Sequence, residues 1–291
     1  MLKTSGLSDV SIEALTESLN GLCNDQPFQS GWYLKDLSTG ESAHRNGDTV
    51  VTSASTRKIA ILATALKAVN EGRFALDQPV VMEAKYQDNN SGCFQHFHPG
   101  FTIQLRDALT MMIIVSDNTC TGTVADMVGL DEVNALCRSI GMRGTTHRHG
   151  IPPNGLPRDH ATDVTNTTTP TDVGLLLDLI LAGTTDAGAA TRLGCTPELC
   201  GLAIDILSWQ NLKARLPSML PQGTKVAHKT GTGARDCNDA GIIFQGDQPL
   251  FILTVYTESE APELQNGTPY VYAATRLIGQ LARTCYDALA R

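Results

Sequence analysis

Ser55 and Lys58 lie three residues apart at the start of an apolar segment, TSASTRKIAILATALKAV, which spans residues 52–69. On a helix, this spacing places both side chains on one face. A serine hydroxyl is a weak nucleophile until a base removes its proton. A lysine in a dry site can be that base, because burial lowers the pKa of an ammonium. The pair predicts a serine nucleophile activated by a lysine; the alternative is an N-cap serine followed by a solvated lysine.

Two further short motifs follow along the chain. Ser-Asp-Asn stands at residues 116–118, where an apolar segment ends, and Lys-Thr-Gly stands at residues 229–231, after a predicted strand. Each motif is weak alone, since the first also fits a cap and turn and the second an edge-strand lysine. In this order, however, the three motifs are the set found in class A β-lactamases and penicillin-binding proteins.

The chain resembles a class A β-lactamase-type serine hydrolase along essentially its whole length. SGCFQHFHPGFTIQLRDALTMMIIVSDNT and NTTTPTDVGLLL resemble the helical domain of that family, and HKTGTGARDCNDAGIIF resembles its third-motif strand. The resemblance implies that Ser55 is the nucleophile and that Lys58 accepts or relays its proton. Ser116 would pass a proton to the leaving nitrogen, and the backbone N–H groups of Ser55 and Thr232 would form the oxyanion hole.

Substrate binding is implied by the same resemblance. Asn118 would hydrogen-bond the substrate amide, while Thr230 and Thr232 would hold a carboxylate and neighbouring atoms of the substrate. Lys229 would set the local electric field, and Arg235, just past KTGTG, is a candidate for steering an anionic substrate. The expected partner is therefore a small amide or ester, with a carboxylate suited to these residues. No metal or organic cofactor is implied.

The resemblance fails in the loop that follows Ser-Asp-Asn. In this family, a glutamate on the loop after Ser-Asp-Asn activates the water that releases the acyl group; here that position falls on Pro152 or Pro153. No glutamate occurs between Glu132 and Glu198. The aspartate that usually clamps this loop through an arginine is Asn166. The acylation residues are therefore present, whereas efficient release of the acyl group by the usual route is not expected.

The loop sequence HRHGIPPNGLPRDHATD offers other groups that could activate water. The candidate bases are His147, His149, Asp159, His160 and Asp163. A neutral histidine suits this role near neutral pH, and His160 is favoured because Asp159 or Asp163 could orient its ring. For each of them, a solvated loop residue is the alternative.

Three functions remain open. The favoured one is a β-lactamase-related hydrolase that cleaves an amide, cyclic or open, or an ester through an acyl-enzyme on Ser55, with a base other than glutamate. The second is a class A β-lactamase proper, which hydrolyses β-lactam antibiotics. The third is a protein that is acylated and then stops, as a sensor or binding protein, or an acyltransferase that passes the acyl group to another nucleophile.

Hydrophobic patterning predicts the elements that position these motifs. The expected helices are one capped near Ser8 or Asp9, then 56–70 stopped by Gly72, 105–115, 131–142, one capped by Thr171 and Asp172, and 270–290. The expected strands are short pieces after residue 30, followed by KVAHKTGTG, DAGIIFQ and PLFILTVYTES, the last two joined by a turn at Gly246 and Asp247. Residues 144–170, with four prolines, read as a long irregular loop, which is usually functional or disordered.

Strands at both chain ends with helices between them predict an α/β plus all-α fold. We expect an antiparallel sheet flanked by N- and C-terminal helices, formed by residues 1–51 and 201–291. A mostly helical domain, residues 52–200, would be inserted and would carry the first two motifs and the irregular loop. This is the architecture that the resemblance to β-lactamases and penicillin-binding proteins implies.

Composition narrows the partners. The 291 residues carry 22 basic and 30 acidic side chains, a net charge of -8, which argues against nucleic acid. No run of eighteen apolar residues occurs, so no membrane span is expected. The N-terminus is unlike a signal peptide, which predicts a cytoplasmic protein, or a periplasmic or secreted one if a leader was removed. The eight cysteines show no zinc spacing and are expected to be reduced thiols.

Overall fold

The computed structural model describes residues 11–87 and 91–290. The helices in these ranges are α1 (Ile12–Asn24), α2 (Lys58–Asn70), α3 (Leu105–Ile114), α4 (Asn118–Val128), α5 (Leu130–Ile140), α6 (Pro170–Gly183), α7 (Ala187–Arg192), α8 (Pro197–Ser208) and α9 (Tyr270–Leu289). The strands are β1 (Gln29–Asp36), β2 (Ser42–Arg45), β3 (Val51–Thr52), β4 (Pro79–Val81), β5 (Thr102–Gln104), β6 (Thr167–Thr168), β7 (Val226–Thr232), β8 (Cys237–Gln245) and β9 (Gln248–Glu258).

Five strands form one antiparallel sheet in the order β2-β1-β9-β8-β7. Two of these strands come from the start of the chain and three from its end, which confirms the predicted architecture. The hairpin between β8 and β9 turns at Gly246, whose φ of 59° suits a residue without a side chain. β7, which carries Lys-Thr-Gly, is an edge strand of this sheet.

The sheet separates two hydrophobic cores, because successive side chains on a strand point to opposite faces. Along β9, Phe251 and Leu253 pack in the core shared with α1 and α9. Ile252 and Tyr256 pack instead in the core of the helical block. α6 packs on β1 and β9, and α8 packs on β7, so the helical block covers the second face.

α2 is the central helix of the helical block, as its apolar surface predicts. Ten of its thirteen residues are buried, and it packs against α3, α4, α5 and α8. The start of this helix differs from the prediction: a 3₁₀ turn at Ala54–Arg57 precedes it, and the α-helix begins at Lys58. Gly72 follows its end with a φ of 72°.

Helix caps were the less predictable features. Ser8 and Asp9 lie outside the described residues, and α1 is capped by Ser11, whose Oγ accepts from the Ala14 N–H. The prediction that Thr171 and Asp172 cap α6 is wrong. Thr169 is the N-cap and Pro170 the first helical residue, because a proline lacks the N–H that this position leaves unbonded.

The region between 144 and 170 is largely irregular, as predicted, with only a 3₁₀ turn at Thr162–Val164 and the short β6. The domain boundaries predicted at 51/52 and 200/201 fall inside β3 and α8. α8 packs against α3 and α6 of the helical block as well as β7. None of the described helices combines the length and the hydrophobicity that a membrane span requires. All eight cysteines are free thiols.

Candidate active site

A cleft of about 520 Å³ lies where four segments meet: the turn before α2, the Ser-Asp-Asn turn, the end of β7 and the irregular loop. Ser55, Ser116, Asn118, Thr230 and Thr232 all line it. Residues predicted from three distant motifs are therefore gathered around one volume. Lys58 and Lys229 lie fully buried beneath its surface.

The candidate nucleophile is held on a strained turn. Ser55 lies in the 3₁₀ turn and is partly exposed to the cleft. Its neighbour Ala54 has a φ of 43°, a region that residues with side chains populate sparsely. Thr56 Oγ1 donates to Ser53 O at 2.6 Å and accepts from Tyr256 Oη at 2.9 Å, which ties the turn to β9. Strain of this kind persists only where surrounding contacts enforce it.

Lys58 joins the nucleophile turn to the second motif. Its Nζ lies 2.8 Å from Ser116 O, 3.0 Å from Ser116 Oγ and 2.7 Å from Asn118 Oδ1. Burial, reinforced by the positive charges of Lys229 and Arg57, holds the pKa of Lys58 well below its ordinary value. An amine that loses its proton this readily can accept one from a serine hydroxyl.

The Ser-Asp-Asn turn is rigid because Asp117 satisfies donors on two sides. Its Oδ1 accepts from the Cys120 N–H at the start of α4, and its Oδ2 accepts from Cys93 N and Phe94 N. Ser116 has a φ of 58°. A side chain at Gly92 would collide with Asp117 Oδ2, so this glycine permits the contact. The aspartate therefore positions its neighbours and does not face the reaction.

The Lys-Thr-Gly strand packs directly on the nucleophile turn. A Cβ on Gly231 would lie 3.1 Å from Thr56 Cγ2 and 3.2 Å from Ala54 Cβ, so the glycine allows β7 to approach. Lys229 Nζ donates to Thr230 O at 2.9 Å. Burial lowers the pKa of Lys229 to about 7, although the nearby carboxylate of Asp239 opposes that shift.

Arg215 was not identified from the sequence. Its Nη1 donates to Gly231 O at 2.7 Å and to Asn238 O at 2.6 Å, and its Nη2 donates to Thr232 Oγ1 at 2.5 Å. This single guanidinium fixes the end of β7 where the oxyanion hole is expected. A single buried arginine in a loop produces no hydrophobic periodicity. Its positive charge in a stretch of mixed composition is the only sequence feature that could have indicated it.

The loop closes the cleft with prolines where the family has its glutamate. Pro152 and Pro153 both line the cleft, and no glutamate does so among the described residues. The loop nevertheless keeps a clamp at its base. Asn166 Oδ1 accepts from Arg148 N at 2.6 Å and His149 N at 2.9 Å. The charge expected there is lost, but a neutral amide makes the anchoring contacts.

Two arginines also hold the loop against the sheet: one belongs to the loop, and the other follows β7. Arg158, on the loop, donates to Glu260 O at 2.9 Å, Ser259 O at 2.7 Å and Ala234 O. Arg235, beyond β7, donates to His160 O at 2.7 Å and to Thr162 Oγ1. Arg235 is buried and does not line the cleft, so both of its Nη groups are directed at the loop and not at a bound substrate.

The predicted loop bases separate into three groups. His160 lines the cleft, and its Nδ1 lies 2.9 Å from Ala161 O. Neither Asp159 nor Asp163 makes the orienting hydrogen bond proposed for it; both are exposed and outside the cleft. His149 Nε2 contacts Val164 O, also away from the cleft. Buried His147 has its pKa lowered to about 3 by burial, so it is a weak base.

Two charged residues of the cleft were missed. Arg57, inside the Ser-x-x-Lys motif, is buried under the loop and donates to Gly150 O at 2.6 Å. Burial lowers the pKa of Arg57 to about 10. Asp236, four residues past Thr232, is also buried. Charged residues beside a motif are ordinarily solvated, so their sequence positions gave no reason to expect buried groups.

Comparison with known proteins agrees with this geometry. Residues 14–289 match the model of the β-lactamase enzyme family. A β-lactamase structure from Sphaerobacter thermophilus DSM 20745 is 26% identical, with 96% of this chain and 97% of that chain covered and a TM-score of 0.81. A substitution mutant of PBP-A, solved as an acyl-enzyme complex with penicillin G, is 27% identical, with 95% and 96% covered and a TM-score of 0.80.

One similar protein is named as a regulator and not as an enzyme. The β-lactamase regulatory protein BlaB of Streptomyces cacaoi is 23% identical over 312 residues, which cover 95% of this chain and 98% of that protein. The family match extends over nearly the whole chain and includes all three motifs. The chain therefore belongs to the β-lactamase enzyme family, as a divergent member without the usual loop glutamate.

Proposed function

We propose that this protein is a serine hydrolase that cleaves an amide, cyclic or open, or an ester through an acyl-enzyme on Ser55, and that it releases the acyl group without a glutamate base. The observation that carries the proposal is the buried amino group of Lys58, bonded to Ser116 and Asn118 beside the cleft that Ser55 lines. A lysine in the helical core without a chemical task would be an unexplained cost to folding.

These contacts support the following route for acylation. Ser55 Oγ attacks the carbonyl carbon while its proton passes to the neutral amine of Lys58. The carbonyl oxygen gains negative charge and is stabilised by the backbone N–H groups of Ser55 and Thr232. Ser116 Oγ, 3.0 Å from Lys58 Nζ, then gives its proton to the leaving nitrogen or oxygen and recovers one from Lys58. The leaving group departs as the neutral amine or alcohol.

Substrate binding uses the groups on either side of Ser55. Asn118 hydrogen-bonds the substrate amide, and Thr230 and Thr232 bind a carboxylate on the substrate. Lys229 supports that carboxylate electrostatically while it is protonated. Because its pKa lies at about 7, this support weakens as the pH rises through neutrality.

Release of the acyl group needs a base that can deprotonate water. Of the predicted loop bases, His160 is the one that lines the cleft, and we assign it this role. A His160→Gln protein should acylate at the normal rate and release the acyl group at least about tenfold more slowly. An unchanged release rate would remove His160 from the mechanism and leave the acylation residues unaffected.

A second function is favoured by the prolines in the loop. A cleft without a loop glutamate suits a protein that is acylated and then stays acylated, as a sensor or an acyl donor. The relation to a β-lactamase regulatory protein fits that reading. The remaining candidate, a β-lactamase proper, differs from the proposed hydrolase in its substrate and in its rate of acyl release and not in the first chemical step.

Turnover of a chromogenic β-lactam, and of a nitrophenyl ester as a non-lactam substrate, tests the proposal. We expect Ser55→Ala to abolish turnover of every substrate that the natural protein cleaves. Ser53→Ala is the matched control, since Ser53 lies in the same turn but does not line the cleft and donates to Asn166 O. Full activity of the Ser55→Ala protein would overturn the assignment. Turnover of the β-lactam at high rate would favour the β-lactamase proper.

A further inference from the structure

Asp236 is a buried carboxylate in the wall of the cleft. Its residue surface is 3% exposed, it lines the same volume as Ser55, and its Oδ1 has no hydrogen-bond partner among the described residues. A buried acceptor without a donor is destabilising, and the penalty is greater for a charged group. An unpartnered group of this kind in a cleft is satisfied most readily by a ligand.

The surroundings of Asp236 leave its negative charge incompletely balanced. Glu258 of β9 adds a second negative charge nearby, whereas a hydrogen bond from the Thr52 side chain to the carboxylate favours its charged form. Arg235 and His160 act in the opposite direction, but both Nη groups of Arg235 are committed to the loop. Burial therefore dominates and raises the pKa of Asp236 to about 6, so that the group is mostly ionised above pH 7.

The local backbone keeps this carboxylate in place. A Cβ on Gly233 would lie 2.2 Å from Asp236 Oδ2, so the glycine makes room for the side chain. The Gly233 N–H donates to Asp236 O, which closes the turn between β7 and β8. The carboxylate thus lies between the nucleophile segment, the β7–β8 turn and His160 of the loop.

We propose that Asp236 recognises a primary ammonium on the substrate, so that the preferred amide or ester carries a cationic group on the part that lies between the loop and the β7–β8 turn. This inference rests on the proposed hydrolase function and specifies its substrate class. An ammonium would supply Oδ1 with a charged donor. Metal binding is a poorer explanation, since the described residues contain no group of three ligands that could hold an ion.

The test compares two nitrophenyl esters of equal shape, one of an aminomethyl-cyclohexanecarboxylic acid and one of the corresponding ethyl compound. At pH 8 we expect kcat/KM to favour the cationic ester by about tenfold to a hundredfold, the range for a hydrogen bond to a charged group. Asp236→Asn should reduce the preference to within about twofold, mainly by raising KM for the cationic ester. Lowering the pH from 8 to 5 should weaken the preference in the natural protein.

Asp159→Asn is the matched control, because it removes one negative charge from an exposed loop position outside the cleft. It should keep the preference of the natural protein. Equal kcat/KM for the two esters in the natural protein would overturn the inference, as would a preference that survives in the Asp236→Asn protein.

Equilibrium binding keeps this inference separate from the proposed reaction. Calorimetry with the Ser55→Ala protein and the two corresponding primary amides needs no turnover, and the cationic amide should bind about tenfold more tightly or better. Cleavage of both esters without preference would leave the hydrolase proposal standing and reject the role of Asp236. Preferential binding without any Ser55 acylation would reject the hydrolase and retain the cation site. Binding of neither amide, or equal binding, would overturn the cation site.

Discussion

The two sides of the cleft are built by different means. On the acylation side, the reactive groups belong to the turn before α2, the Ser-Asp-Asn turn and β7. Lys58 and Lys229 there are fully buried, with Nζ contacts between 2.7 and 3.0 Å. On the loop side, the named candidate bases are exposed, bonded to main-chain carbonyls or weakly basic, and prolines occupy the position of the expected glutamate.

Folding fixes the reactive groups on the acylation side of the cleft but not those on the loop side. A lysine in the helical core is tolerated only when its N–H donors have hydrogen-bond partners. The contacts among the acylation groups and the packing of the fold therefore stabilise each other. The loop is held mainly through main-chain atoms, by Asn166, Arg158 and Arg235. Loop side chains other than those of Asn166, Arg158 and Thr162 can therefore change without loss of these anchoring contacts. The proposed release step is accordingly the part that departs from the family.

Loss of Lys58 should slow the reaction more than any other substitution described below. Lys58→Ala removes the proposed proton acceptor and should slow acylation of Ser55 by roughly a thousandfold, within the range of general-base catalysis. The measurement is single-turnover acylation followed by mass spectrometry. Thermal unfolding of the same protein is the control, because removal of a buried lysine also changes packing. Acylation within tenfold of normal in a folded variant would remove Lys58 from the mechanism.

A glutamate placed on the loop should supply the base that the loop side of the cleft lacks. Pro153→Glu and Pro152→Glu each place a carboxylate in the cleft wall, and we expect at least one of them to release the acyl group about a hundredfold faster. Acylation should change little in both variants. The check is the decay of the isolated acyl-enzyme. If neither variant released its acyl group faster, the missing glutamate would not be the reason for slow release.

The pH dependence of substrate binding should follow the protonation of the Lys229 amine. With its pKa at about 7, the protonated fraction falls about tenfold between pH 6 and pH 8, so KM for a carboxylate-bearing substrate should rise by up to that factor. Lys229→Arg should flatten this dependence, because arginine stays protonated over the range. A primary-amide analogue of the substrate is the control and should show no such rise. A flat profile with the carboxylate substrate in the natural protein would contradict the assignment.

The smallest effect is expected from the loop anchors. Arg158→Ala removes the bonds to the carbonyls of Ser259, Glu260 and Ala234 and should lower the melting temperature by a few degrees, about 2–4 °C per kcal/mol lost in a chain of this size. Acylation should stay within about twofold, while release changes more. Lys213→Ala, at an exposed position, is the control. A larger effect on acylation than on release would mean that the two sides are coupled.

The acylation residues were assigned through the resemblance of three motifs to the β-lactamase family, because Ser55 and Lys58 alone also fit a capped helix with a solvated lysine. The sequence itself predicts the burial of α2, because the surface of that helix is apolar. The loop side could not be predicted in the same way. Arg158 and Arg235 bond to carbonyl and hydroxyl oxygens 73 or more residues away, which no side-chain pattern encodes. Burial of Asp236 likewise arises from tertiary packing around a turn.

The decisive measurement is intact-mass spectrometry over time, after the protein is mixed with a β-lactam or an activated ester. We predict an adduct of the acyl mass that forms on Ser55, is absent from the Ser55→Ala protein and persists for far longer than it takes to form. Rapid turnover without an accumulating adduct would contradict the claim that release is the slow half of the reaction. An adduct on another residue, or no adduct with either reagent, would contradict the assignment of Ser55.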